Sequence, residues 1–373
     1  MSPDKPLTAH SYRPRVRVLL ATAGLLALAG TAAAASPTAH TLRKSPGGPI
    51  EAIAEDGSSV AWLSSSTKAC DTIHVLSPGT PDRSLPQPSS GSMTCRWDLA
   101  DGQPQLAFAA GMSTALWTLH ESGPAPFDYV LTAPVGGPER QVKRLAHASD
   151  GTGYWLGGVA GAGRTLAYSW DDVEYIDKLA CLSGGSCKQK VADGGIRIVT
   201  QTADQPLPKA EPALQLAASA GRIAYIPATT VKAGRPAASA GSLLYVADAT
   251  TGSQVSHAFV RGVPLAIALS PHVLAVLTRN GPHDRILWYD AANGTKLGSV
   301  VVSARSSPQL AASDQLVVYS VGETLRGVST VGGRTRLLTK TAPNTVGLSL
   351  GNGQLVWVEN RADAGRLRGL AVG

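Results

Sequence analysis

The chain has 373 residues, of which 43% are hydrophobic and 16% charged, with a formal net charge of +7. That length exceeds what one compact core usually spans, so two domains or one toroidal repeat is expected. The basic residues are scattered, and the largest group, Arg361, Arg366 and Arg368, reads as a solvated sheet edge, which argues against a nucleic-acid partner.

At the N-terminus, Arg13, Arg15 and Arg17 precede an apolar run over 18–35 that closes on Ala33-Ala34-Ala35 before Ser36. A basic region, an apolar stretch and a small-residue exit predict a secretory signal peptide over 1–35, with an uncleaved anchor as the alternative. No Arg-Arg pair supports twin-arginine export, and no Cys near the exit offers a lipid attachment point. The remainder, 36–373, is expected to form a single extracytoplasmic domain with no further membrane span.

A strand-like piece over 38–44 comes next, and then a unit recurs seven times. Each unit pairs a small apolar segment with a strand that carries a bulky residue at the same point: Trp62, Trp117, Tyr168, Tyr225, Val276, Tyr319 and Trp357. Six of the seven are aromatic in a chain with only 7 Trp, 9 Tyr and 3 Phe. The clearest unit runs from Pro264 to Val302. Its four predicted strands lie over 265–269, 273–278, 285–289 and 296–302. Four antiparallel strands in about 40–50 residues is the size of one propeller blade. First strands in the other units begin at Ile50, Gln105, Trp155, Ala213, Gln309 and Val346, and they are rich in Ala, as crowding near a ring axis requires.

The turns agree. Asp248-Ala-Thr-Thr-Gly252 and Asp290-Ala-Ala-Asn-Gly294 place an Asp where it can bond the backbone ahead and a Gly where φ turns positive. Asn352-Gly353 predicts a two-residue hairpin. The last unit lacks one strand, and the N-terminal piece over 38–44 supplies it. The fold expected is therefore an all-β, seven-bladed propeller of four-stranded antiparallel blades, its ring closed by an N-terminal strand in the C-terminal blade. Four cysteines in an exported chain predict disulfides, and strand placement pairs Cys70 with Cys95 and Cys181 with Cys187. No metal-ligand spacing accompanies them.

The segments Leu244-Tyr-Val-Ala-Asp-Ala-Thr-Thr-Gly252 and Leu287-Trp-Tyr-Asp-Ala-Ala-Asn-Gly294 resemble the bacterial extracytoplasmic β-propellers, with the TolB-like and quinoprotein-like repeat families nearest. The resemblance implies a propeller working outside the cytoplasm. Quinoprotein-like repeats carry a Trp in the strand after that Gly, and neither 253–257 nor 295–300 contains one. No cofactor is expected.

Gly347-Leu-Ser349-Leu-Gly351 matches the nucleophile-elbow pattern, but it lies in a first strand with no helix to follow. The glycines over 157–163 read as a turn rather than a phosphate cradle. Asn293-Gly-Thr295 is a formal sequon whose residues already serve a turn. The seven bulky positions are read as packing between sheets, and Trp155 and Trp170, which fall off them, are the stacking candidates. The candidate ligand or partner residues lie three and four positions beyond the bulky residues: His120 and Glu121, Asp171 and Asp172, Arg279 and Asn280, with Glu323, Asn360 and Arg361 in the same role. Loops held by a rigid scaffold commonly carry function. Asp171, Asp172 and Glu174 could attract a cation, with no complete ligand set. The function expected is a non-enzymatic, monomeric binding scaffold for an exported protein or a cell-envelope glycan. The alternative is a propeller enzyme, either a quinone-dependent dehydrogenase or a polysaccharide lyase or hydrolase.

Overall fold

Every one of the seven bulky residues sits directly across from an aliphatic residue on the neighbouring first strand. The pairs are Trp62 with Ile53, Trp117 with Leu106, Tyr168 with Val159, Tyr225 with Leu216, Val276 with Ile267, Tyr319 with Leu310, and Trp357 with Leu348. They come from a computed structural model that describes residues 38–45, 48–64, 71–85, 104–123, 126–183, 187–302, 309–343, 345–361 and 364–372. Within these residues the chain folds into seven four-stranded antiparallel sheets. The first strand of each blade touches the first strands of both neighbouring blades, all the way round, so these strands line the axis of a closed ring.

The blades cover 50–84, 106–146, 153–206, 213–259, 263–302, 310–340 and 345–371. Blade 7 supplies three strands of its own, and its third strand, Ala364–Ala371, pairs with the N-terminal strand His40–Ser45. The ring is thus closed as the two incomplete ends of the sequence require, and the outer edge of that third strand is covered.

Seven hydrophobic clusters form, one at each interface between neighbouring blades. Each bulky residue belongs to the cluster shared with the preceding blade: Trp117 packs toward blade 1, Tyr168 toward blade 2, and Trp62 back across the seam toward blade 7. All seven are buried. Offset sheets faced with one large residue each are filled this way at little entropic cost, since an aromatic ring has few rotamers. A register irregularity recurs on the first strands just before the aliphatic partner, in blades 1, 3, 4, 5 and 7, and increases their twist.

Polar side chains stitch the inner ring. Gln105 donates to the Gly157 carbonyl and accepts from the Val159 N–H, Gln215 donates to Leu265, and Gln309 donates to Thr345, each reaching the next blade. The two Asp-x-x-x-Gly turns are formed as their residues dictate. Asp248 Oδ1 accepts from the N–H groups of Thr250 and Thr251, and Asp290 Oδ1 from those of Ala292 and Asn293. Gly252 and Gly294 have φ of 66° and 75°. A Cβ at Gly252 would lie 1.9 Å from the Pro208 carbonyl oxygen, in the connection from blade 3, and one at Gly294 would lie 1.9 Å from the His257 carbonyl oxygen of blade 4. Asn352 and Gly353 both take positive φ, as a tight hairpin between the first two strands of blade 7 requires.

Cys181 and Cys187 form a disulfide in the connection between the second and third strands of blade 3. Cys70 and Cys95 lie outside the described residues. No helix among the described residues is long and apolar enough to cross a membrane.

Candidate functional site

Antiparallel strand order brings the second-to-third-strand connections and the connections between blades to the same end of the ring. At blades 2, 3 and 4 these segments surround a cleft of about 550 Å³. Blade 2 contributes His120, at the end of its second strand Thr114–Glu121, and His147, just after its fourth strand Arg140–Ala146. Blade 3 contributes Trp155, Tyr175 and Gln189, and blade 4 sends a short hairpin, with strands Thr230–Lys232 and Arg235–Ala237, whose Arg235 faces the same space.

The wall of the cleft is a stack. The His147 ring lies 3.9 Å from that of Trp155, centroid to centroid and nearly parallel, and the His120 ring lies 5.8 Å from the His147 ring. The guanidinium of Arg235 stands 5.4 Å from the Trp155 ring. Trp155 is anchored by its indole N–H, which donates to the Gly151 carbonyl at 2.9 Å. The loop holding Gly151 is itself fixed: Asp150 accepts from the Thr152 N–H and hydroxyl and from the Tyr175 hydroxyl, and Gln189 donates to the Asp150 carbonyl. The bonds from Thr152 hold the Asp150 carboxyl below its usual range. Gly151 and Gly234 bring two loops into backbone contact, so the blade 4 hairpin rests on this loop.

Beneath the stack lies Asp128, which strand register places opposite His120. Its Oδ1 is 2.7 Å from His120 Nδ1, and its Oδ2 accepts from the Leu156 N–H at 3.2 Å and lies 3.9 Å from His147 Nε2. His147 is buried, and its Nε2 makes no hydrogen bond. Burial holds the imidazole below its ordinary pKa against the pull of Asp128. Two imidazoles and a carboxylate, with one ligand atom from each within 4.8 Å of the others, form a set able to hold a metal ion.

Of the residues singled out in the sequence, His120 and Trp155 line this cleft. Glu121 instead accepts from the Tyr129 hydroxyl on the next strand. Asp171 departs from its expected place at a loop, because its strand, Thr165–Tyr175, runs on past it. It is only 1% exposed, and burial pushes its carboxyl up to about 8 against the opposing pull of the Ala213 backbone. Neither of its oxygens makes a well-formed hydrogen bond. Asp172 is raised by burial and then by the like charges of Glu174 and Asp193. Arg279 forms a two-pronged ion pair with Asp284, at 2.8 and 3.1 Å, across a blade 5 hairpin whose last pair is Asn280 and His283. Trp170 stands edge-on to Tyr154. Asn360 ties the ring seam.

Asp128, His147 and Arg235 were not legible as site residues. The signal for Asp128 was available in principle, since a hairpin register from His120 reaches it. His147 stands alone in sequence, and Arg235 arrives from a different blade.

No protein-family model matches the chain, and no curated protein matches it in sequence. Solved structures of similar outline exist at low identity. The Cps50 (Swd1) β-propeller domain of Myceliophteria_thermophila is 9% identical over 91% of this chain and 99% of that one, with a TM-score of 0.49. Sqt1 of Saccharomyces cerevisiae is 13% identical over 87% and 82%, with a TM-score of 0.42. The PQQ-bound aldose sugar dehydrogenase of Streptomyces coelicolor is 13% identical over 91% and 99%, also with a TM-score of 0.42. On the topology of its own sheets, the chain is a seven-bladed β-propeller.

Proposed function

We propose that this chain is a non-enzymatic binding propeller of the extracytoplasmic space, which engages an exported protein through the loop face of blades 2 to 4. One observation carries this reading. At the rim of the cleft, the connection that carries the Cys181–Cys187 disulfide holds Ile176, Leu179 and Leu182 at 60%, 78% and 76% exposure. Apolar side chains so exposed are costly unless a partner covers them, and a protein surface covers them better than a glycan does. The disulfide fits an oxidising compartment, the setting that the predicted signal peptide and the likeness to TolB-like repeats imply.

The test places a photo-crosslinking residue at position 179 and irradiates the protein among exported proteins and cell-wall material. A discrete protein adduct is expected, lost on Leu182→Glu, a surface change that leaves the fold intact. Absence of any adduct, with retention on wall glycan instead, would replace the protein partner by a glycan. Turnover of sugars or alcohols with added quinone and Ca²⁺ would overturn the non-enzymatic reading.

A further inference from the structure

Native proteins rarely leave a buried ring nitrogen without a partner, because the lost hydration is not regained. His147 Nε2 is such an atom. Asp128 Oδ2 stands 3.9 Å from it, too far for a hydrogen bond. Three further constraints act on the same spot. The Trp155 stack fixes the plane of the His147 ring. The Leu156 N–H holds one oxygen of Asp128. The near-parallel His120 ring presents Nδ1 to the other oxygen at 2.7 Å. The carboxylate thus sits between two imidazoles, and their positions come from a strand hairpin and an interblade loop rather than from flexible surface chains.

We propose that His120, Asp128 and His147 bind a divalent first-row transition ion of the zinc class, with the remaining coordination positions left to the cleft. The inference deepens the reading of this cleft as a binding site and rests on it for its biological use. Two imidazoles with one carboxylate suit borderline ions and not Mg²⁺ or Ca²⁺, which take oxygen ligands. Ligands bonded at roughly 2.0–2.2 Å to one tetrahedral ion lie roughly 3.3–3.6 Å apart. The observed set, within 4.8 Å, therefore closes on an ion by side-chain movement of about an ångström, with the His120–Asp128 hydrogen bond given up for the metal. His120, whose side chain is 32% exposed, is the open side of the cluster. Three protein ligands with an open position are how an ion captures a donor atom from a ligand or a partner.

The experiment uses the untagged full chain, stripped with EDTA and dialysed against Zn²⁺ at neutral pH, with bound zinc measured by mass spectrometry and Co²⁺ read by its visible absorption. About one zinc per chain and the intense Co²⁺ bands of a four- or five-coordinate site are expected. Asp128→Asn and His120→Gln each weaken zinc by roughly tenfold or more, while His272→Gln, at an exposed histidine elsewhere, changes nothing. Zinc also raises the melting temperature of the parent and not of Asp128→Asn. No stoichiometric zinc, or zinc unaffected by the two variants when their metal-free melting temperatures match the parent's, overturns the proposal. If zinc fails to bind but the adduct at position 179 forms, the metal site alone is wrong. If zinc binds and no adduct forms with zinc present, the partner reading alone is wrong.

Discussion

Asn360 holds Ile50 by both of its backbone groups: its side-chain oxygen accepts from the Ile50 N–H at 2.9 Å, and its side-chain nitrogen donates to the Ile50 carbonyl at 2.9 Å. The two residues are 310 positions apart and lie on either side of the seam between blade 7 and blade 1. An amide side chain thus completes a ladder that the backbone leaves open where the ring closes. Asn360→Ala leaves a donor and an acceptor unmatched beside a fully buried Ile50. A loss of about 2–4 kcal/mol is expected, since each orphaned group costs about 1–3 kcal/mol. Urea denaturation checks it, and an unchanged midpoint would show that water replaces the bonds.

The same seam depends on the strand His40–Ser45, where Arg43 pairs with Asp82 and the Arg368 guanidinium donates to the Thr41 hydroxyl at 2.6 Å. Removing residues 1–45 bares the edge of Ala364–Ala371. An unpaired edge templates further pairing. The truncated chain is expected to melt at lower temperature and to elute as dimers or larger species in size-exclusion chromatography. A stable monomer would mean that three strands suffice in blade 7.

Much of this fold was legible in advance because a propeller writes its register into the chain. One large residue per blade is needed at the same depth, so Trp62 and Trp357 announce equivalent places despite their distance in sequence. The site was less legible for the opposite reason. It breaks the repeat: His147 sits in one connection between blades, and Arg235 on a hairpin that, among the described residues, is inserted into blade 4 alone. Offsets counted from the bulky positions reach His120, which lines the cleft, but set Asp171 at a loop where it lies within a strand, because the second strand of blade 3 is longer than its counterparts. Periodicity reports what the blades share, and the cleft is built from what they do not.

Two buried carboxyls set a pH dependence. Burial pushes Glu55 and Asp171 each up to about 8. An unfolded carboxyl titrates near 4. Between about pH 4 and 8 the folded chain therefore holds protons that the unfolded chain releases. The stability from these groups is complete below about pH 4 and is lost as the pH rises through 8. Asp171→Asn mimics the protonated form. It is expected to match the parent near pH 4 and to exceed it at pH 8–9 by an amount on the order of 5 kcal/mol. Glu55→Gln is expected to move the same way, since burial outweighs the opposing pull of the Ser349 and Gly351 hydrogen bonds on the Glu55 carboxyl. Asp204, held low by Tyr168 and Arg197 despite its burial, acts in the opposite sense but is common to parent and variants. Denaturation curves at pH 4, 6 and 8.5 decide the matter, and parallel profiles for parent and Asp171→Asn would refute the shift.

The Cys181–Cys187 disulfide separates what the ring needs from what the loop face needs. It closes a loop of sequence separation 6 in the connection between the second and third strands of blade 3, next to the helix Lys178–Leu182, which contributes no buried residue. A loop so short gives a disulfide about 2 kcal/mol of chain-entropy stabilisation at most. The segment also lies outside the seven interblade clusters. Replacing both cysteines by Ser is therefore expected to lower the melting temperature of the ring by no more than a few degrees. Its effect falls instead on the presentation of Ile176, Leu179 and Leu182. Limited proteolysis should cut between 176 and 187 in the double variant, and the crosslinked adduct at position 179 should be lost. A variant that keeps the adduct at full yield would show that the partner rests on the cleft and not on its rim.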